Sequence, residues 1–184
     1  MPDPDERYVL GEATRYLFGS LVLVRRADLA APTPCAGWDL RRLLRHVSTS
    51  LTDVTDVLRG VDPPSGPRSG ADPVAAVRSG TVDFLLAASA PGRRCEVAGR
   101  SLPSGIVVSV GALEMVLHAW DIAQACRVDR PISPDVASSL LCISPPLAEA
   151  GLAGHVFAEP LPSPATATPS DQLLALFGRR PGRR

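Results

Sequence analysis

The segment from Ser104 to Arg127 constrains the fold more than any other part of this chain. Ile106, Val107, Val110, Leu113, Met115, Val116, Leu117, Trp120, Ile122 and Ala123 leave it apolar almost all round. A helix without a polar side has to be enclosed by other elements, so this one belongs at the centre of the molecule. It nevertheless carries Glu114 and His118, whose spacing of four places both side chains on one face, a turn apart. A carboxylate there is costly to bury without a partner. An arginine, His118 itself or a metal ion would each serve.

Three further segments have helical periodicity. Val9, Ala13, Tyr16, Leu17, Leu21 and Val24 recur at three- and four-residue steps and predict a helix over Arg7–Arg26. Prolines at 32 and 34 forbid helix in the connector that follows. Asp39 is placed to cap a second helix, in which Leu40, Leu43, Leu44, Val47, Leu51, Val54 and Leu58 form an apolar stripe ending at Gly60. Asp62 to Gly70 reads as a loop, and Asp72-Pro73 as the cap and first turn of a third helix running to about Ala90. Pro91-Gly92 ends that helix, and Arg94 to Leu102 reads as a short hairpin or irregular crossover. Beyond the apolar fourth helix, a shorter one is expected from Pro134 to about Ala150, broken at Pro145-Pro146. The tail from Gly151 to Pro169 should lie extended on the surface, before a last short helix over Ser170–Phe177. Four substantial helices with proline-marked connections predict an all-α bundle.

With 19 basic residues, every one an arginine, against 19 acidic, the 184-residue chain has a formal net charge of +0. That balance argues against nucleic acid or an anionic membrane as the main partner, since both select an excess of positive charge. No signal-like or long uncharged apolar stretch is seen, which predicts a soluble, cytoplasmic protein. The four cysteines, Cys35, Cys95, Cys126 and Cys142, are scattered without a CxxC pair and read as reduced thiols, mostly buried.

Only three histidines are present, His46, His118 and His155. His46 flanks the apolar stripe of the second helix. If the second and fourth helices are neighbours, His46, Glu114 and His118 converge in the bundle interior. Two imidazoles and a carboxylate with open positions form a catalytic type of zinc, iron, manganese or nickel site. On spacing alone the plainer reading stands beside it: a satisfied helix pair and an unrelated surface histidine. Asp121 lies near the same face, placed either to orient a ligand or to pair with Arg127 or Arg45. Trp38 and Trp120 read as core or pocket wall, and Cys126 as core. Cys35 is expected at the bundle mouth, since His46 lies about 10 Å up the helix from its cap. His155 sits among loop signals and is expected to face solvent. Arg41, Arg42 and Arg45 form a solvated face, any of which can meet an anion at the opening.

The stretch Pro32-Thr-Pro-Cys-Ala-Gly-Trp-Asp-Leu-Arg-Arg-Leu-Leu-Arg-His46 resembles the start of the metal-bearing second helix in the DinB-like, mycothiol-dependent maleylpyruvate isomerase superfamily. Gly111-Ala-Leu-Glu-Met-Val-Leu-His-Ala-Trp-Asp-Ile-Ala-Gln-Ala125 resembles the E-x-x-x-H-x-W-D-x-A helix of the same family. The tail, Phe157-Ala-Glu-Pro160 and Ser170 to Pro181, is similar to a stand-alone metal-binding branch. The resemblance implies a DinB-like four-helix bundle with short extra C-terminal helices, a single domain over 1–184. It also implies a divalent metal, usually zinc, on His46, Glu114 and His118, with mycothiol as an associated thiol cofactor. The additional C-terminal domain of the isomerase has no counterpart here, and nothing matches a substrate carboxylate site.

These features lead to a metal-dependent enzyme that activates a low-molecular-weight thiol for transfer to, or isomerisation of, a small molecule. Two other readings remain: a non-catalytic metal-binding or ligand-sequestering bundle, and a hydrolase or lyase using bound water. The apolar fourth helix also allows a homodimer.

Overall fold

Three of the described helices open on a capping side chain, and their buried faces follow their apolar spacing. The computed structural model describes residues 4–61, 72–90, 94–97, 99–145, 147 and 158–180. They fall into two compact units, Met1–Val128 and Asp129–Arg184.

In the first unit, α1 spans Pro4–Leu21, α2 Leu40–Arg59, α3 Pro73–Ala88 and α4 Ser104–Ala125. Two short antiparallel strands, β1 (Arg94–Val97) and β2 (Arg100–Pro103), join α3 to α4, with Cys95 opposite Leu102. The described residues are mostly helical, an all-α fold of the DinB-like kind with this small hairpin added. Asp39 accepts a hydrogen bond from the Arg42 amide at 2.8 Å and so caps α2, an arrangement worth about 1 kcal/mol. Gly60 closes the same helix in the left-handed region, φ 72°, where a side chain would be strained. Asp72 caps α3 through the Val74 and Ala75 amides, with Pro73 in the first turn.

The expected first helix is displaced, beginning at Pro4 and ending at Leu21 rather than running from Arg7 to Arg26. A local alternative stops it. The Asp28 carboxylate accepts from the Arg25 amide at 3.0 Å and from its guanidinium at 3.0 and 3.1 Å, and the chain turns into a 3₁₀ helix over Arg26–Ala30. Such side-chain bonds to nearby backbone compete with helix continuation.

The core of this unit lies where α4 meets α1 and α2, while α2 also packs on α3. Leu17, Leu21, Leu43, Leu44, Leu51, Phe84, Met115, Leu117 and Ile122 are fully enclosed. By length and composition α4 can cross a membrane, yet 83% of its apolar window is buried within the fold, as a core helix would be. Its Gly111 has no side chain because the Phe84 ring of α3 occupies the space: a Cβ there would stand 2.8 Å from Cε2 and 3.0 Å from Cε1.

In the second unit, α5 (Pro134–Leu141) packs with α6 (Pro169–Leu176). The helix breaks at Cys142 and Ile143, ahead of the expected Pro145-Pro146, and helical residues resume at 144, 145 and 147; residues 146 and 148–150 lie outside the described ones. Residues 158–168 have no regular helix or strand and are mostly exposed, as expected of the tail; residues 151–157 lie outside the described set. Thr168 caps α6 by accepting from the Asp171 amide at 3.1 Å.

Candidate metal centre

One carboxylate oxygen gathers the site. Glu114 Oε2, on the central turns of α4, lies 3.4 Å from His118 Nε2 one turn along and 3.6 Å from His46 Nε2 on α2. Ser50, a turn beyond His46 on α2, donates its hydroxyl to the same oxygen at 3.0 Å. The two imidazoles meet edge to face, with ring centroids 4.9 Å apart. One donor atom from each of His46, Glu114 and His118 lies within 4.8 Å of the others.

This arrangement fits a cation. Ligand atoms at tetrahedral zinc distances stand roughly 3.3 Å apart, close to both nitrogen–oxygen separations here. His118 Nε2 is buried and makes no hydrogen bond, although it lies 3.4 Å from the Glu114 carboxylate. An orphaned buried nitrogen aimed at a carboxylate and a second imidazole is a costly arrangement that a shared ion would satisfy.

The electrostatics of the protein alone already favour charge at this point. Burial pushes the Glu114 carboxyl up, but the His118 and His46 imidazoles beside it outweigh this and hold the group well below the usual carboxylate range. Burial likewise pushes His118 down, yet the Asp121, Cys35 and Glu114 side chains more than offset this and hold its imidazole well above the usual value.

His118 is steadied from its other side. Its Nδ1 lies 2.9 Å from Asp121 Oδ2, and Asp121 is wholly buried. The orienting role was one of two open for Asp121; Arg45 and Arg127, the alternative partners, are exposed. Cys35 also reaches this carboxylate, its thiol donating to the same Oδ2 at 3.4 Å. A compact turn brings it there. Thr33 and Trp38 pair through backbone at 3.0 Å, the Trp38 amide closes a turn onto the Cys35 carbonyl at 3.0 Å, and Gly37 supplies the required φ of 74°. Trp38, half-buried, packs its ring 4.9 Å from that of His46, and the Arg42 guanidinium lies 4.8 Å over Trp38.

The structure therefore brings together His46, Glu114, His118 and Asp121. Trp120 is buried in the core, and Arg41, Arg42 and Arg45 are exposed. Cys35 does not stand apart at the mouth: it touches the Asp121–His118 pair. The cysteines are free, as expected, but of the four only Cys95 is buried, so the expectation of mostly buried thiols is corrected. His155 lies outside the described residues. Ser50 was missed, although its position four residues after His46 places it on the same helix face. The Cys35 contact had no comparable periodic signal, since it depends on a turn folding back.

Fold and site together define a helical bundle with a partly buried two-histidine, one-carboxylate cluster spaced to suit a divalent ion. Residues 10–123 match the mycothiol maleylpyruvate isomerase N-terminal domain family, and the chain belongs to that family, a mycothiol-related, metal-binding group of DinB-like domains. Two uncharacterized proteins of Mycobacterium tuberculosis, from strains CDC 1551 and H37Rv, are each 26% identical to it over 166 residues. The matched region covers 88% of this chain and 91% of each relative. No solved structure matches the chain significantly.

Proposed function

We propose that His46, Glu114 and His118 hold a divalent cation, zinc ahead of nickel, iron or manganese, in an enzyme that activates a low-molecular-weight thiol such as mycothiol. The reaction would be a transfer to, or an isomerisation of, a small molecule in the cytoplasm. One observation carries this reading: two imidazole nitrogens stand 3.4 and 3.6 Å from a single buried carboxylate oxygen. Three protein donors leave a coordination position for an outside group, as catalytic rather than structural zinc sites do. A divalent cation bound there would hold a thiol as its nucleophilic thiolate at neutral pH.

The chain's own groups prepare the site. Glu114 is kept ionised, with Ser50 fixing its Oε2. Asp121 accepts from His118 Nδ1 and thereby leaves the Nε2 lone pair facing the cluster. Trp38 packs against His46. Family membership supports the association with mycothiol, and the balanced charge of the chain suits a small-molecule substrate.

The test is elemental analysis of purified wild type and His118→Ala, followed by mycothiol titration of the metal-loaded wild type. One metal per chain is expected in the wild type and none in the variant, with helical circular dichroism retained and saturable thiol binding at or below millimolar concentration. Stoichiometric metal in His118→Ala would overturn the ligand assignment. A loaded wild type that ignores the thiol would remove the thiol chemistry.

A further inference from the structure

Two hydrogen bonds fall on one buried oxygen, and only one of them comes from the metal cluster. Asp121 Oδ2 takes the His118 Nδ1 contact at 2.9 Å and the Cys35 thiol at 3.4 Å. The turn that carries Cys35 is held independently of the site. The Thr33 hydroxyl donates to the carbonyls of Cys35 and Trp38 at 3.3 and 3.0 Å, and the Leu40 amide donates to the Ala31 carbonyl at 2.9 Å just before α2. The thiol thus comes from a rigid turn and not from a mobile side chain on the surface.

We propose that Cys35 is a positioning residue of the metal centre. Its thiol fixes the Asp121 carboxylate, which fixes the ring of His118 with Nδ1 protonated and Nε2 directed at Glu114 and His46. The inference rests on the metal reading above but assigns a role that reading does not require. A second donor on the same oxygen narrows the orientations open to the carboxylate and so helps set the direction of the imidazole. The direct hydrogen-bond partner of a metal ligand, here Asp121, typically changes metal affinity about 10- to 100-fold when removed, and Cys35 acts one hydrogen bond further out. A thiol is also a weak donor, so its removal should cost less than about tenfold.

The role distinguishes donation from ligation. Sulfur as a direct ligand would be irreplaceable by a hydroxyl, whereas a donor to Asp121 should be replaceable by one. The experiment measures zinc affinity by chelator competition for the full-length wild type, Cys35→Ala and Cys35→Ser. The His118 Nδ1 proton is followed by NMR in each. Cys35→Ala should bind zinc more weakly, by about two- to tenfold, and lose its slowly exchanging Nδ1 proton, and Cys35→Ser should recover most of both. Should Cys35→Ala fail to fold, the same comparison is made in Cys126→Ser/Cys142→Ser protein. There Cys35 is capped as a methyl disulfide and released with dithiothreitol, and affinity should fall and return. Equal affinity in all forms, with an unchanged Nδ1 signal, would overturn the positioning role while leaving the metal reading intact. A Cys35→Ser protein as weak as Cys35→Ala would overturn it in favour of direct sulfur ligation. A wild type that takes up no zinc would overturn the metal reading and this inference with it.

Discussion

Replacing Glu114 by glutamine isolates the charge at the hub while keeping its shape. Oε2 faces three groups, His118 at 3.4 Å, His46 at 3.6 Å and the Ser50 hydroxyl at 3.0 Å. An amide loses the anionic donor and can present an N–H to nitrogens that need a partner of opposite character. If four-ligand zinc sites bind with about 10–16 kcal/mol, each protein donor carries roughly 2.5–4 kcal/mol. Losing one should therefore weaken zinc binding by about 100- to 1,000-fold. The metal-free protein should suffer less. Removing a partner from a buried charged pair costs about 3–5 kcal/mol when the remaining charge is stranded. Here His118 keeps Asp121 at 2.9 Å, and Glu114 no longer bears its own burial penalty. A loss near 1–2 kcal/mol is the resulting expectation. Chelator competition gives the first quantity, and thermal unfolding in excess chelator gives the second. Unchanged zinc affinity in Glu114→Gln would refute the claim that this carboxylate is a ligand. A loss of stability in the chelated protein as large as the loss of affinity would show a structural ion-pair network instead.

The same cluster sets a pH dependence. His118 is held above its ordinary value of 6.5, so its contribution to metal-free stability is complete below about pH 6.5 and is lost as pH rises through the folded value. Glu114 is held below its ordinary value of 4.5, so its contribution is present above about pH 4.5 and is lost as pH falls through the folded value. In excess chelator the melting temperature should therefore have its cluster-derived maximum between these limits, and His118→Ala should remove the alkaline decline. Zinc must displace the His118 proton, so its affinity should climb about tenfold per pH unit while that proton is bound; a flat competition profile between pH 6 and 8 would contradict this. Away from the site, Gly111→Ala sets a Cβ against the enclosed Phe84 ring. It should destabilise by about 1–3 kcal/mol, less the roughly 1 kcal/mol that alanine gains over glycine in a helix. A melting temperature above wild type would show that the ring can move.

Much of this architecture was legible because local chemistry and tertiary packing agree. Asp39 and Gly60 bracket α2, Asp72-Pro73 opens α3, and the apolar stripes face the core as the period of 3.6 requires. The pairing of Glu114 with His118 was equally local, being one turn of one helix. Where a neighbouring interaction competed, legibility failed. The Arg25–Asp28 bonds ended α1 three residues before its apolar pattern did, because periodicity describes a face and not the point at which the backbone finds a better partner.

The convergence of the site belongs to the tertiary structure. His46 stands 68 residues before Glu114 in the chain, and only the packing of α2 on α4 brings its Nε2 to 3.6 Å from the carboxylate. The Cys35 thiol is farther removed in kind, since Cys35 lies outside any helix, and a glycine turn folds it onto Asp121. Side-chain spacing along a helix fixes direction to within a turn, so the sequence determined which groups share a face. Distances between separate segments depend on how close two backbones come, which Gly111 and the enclosed leucines set through packing.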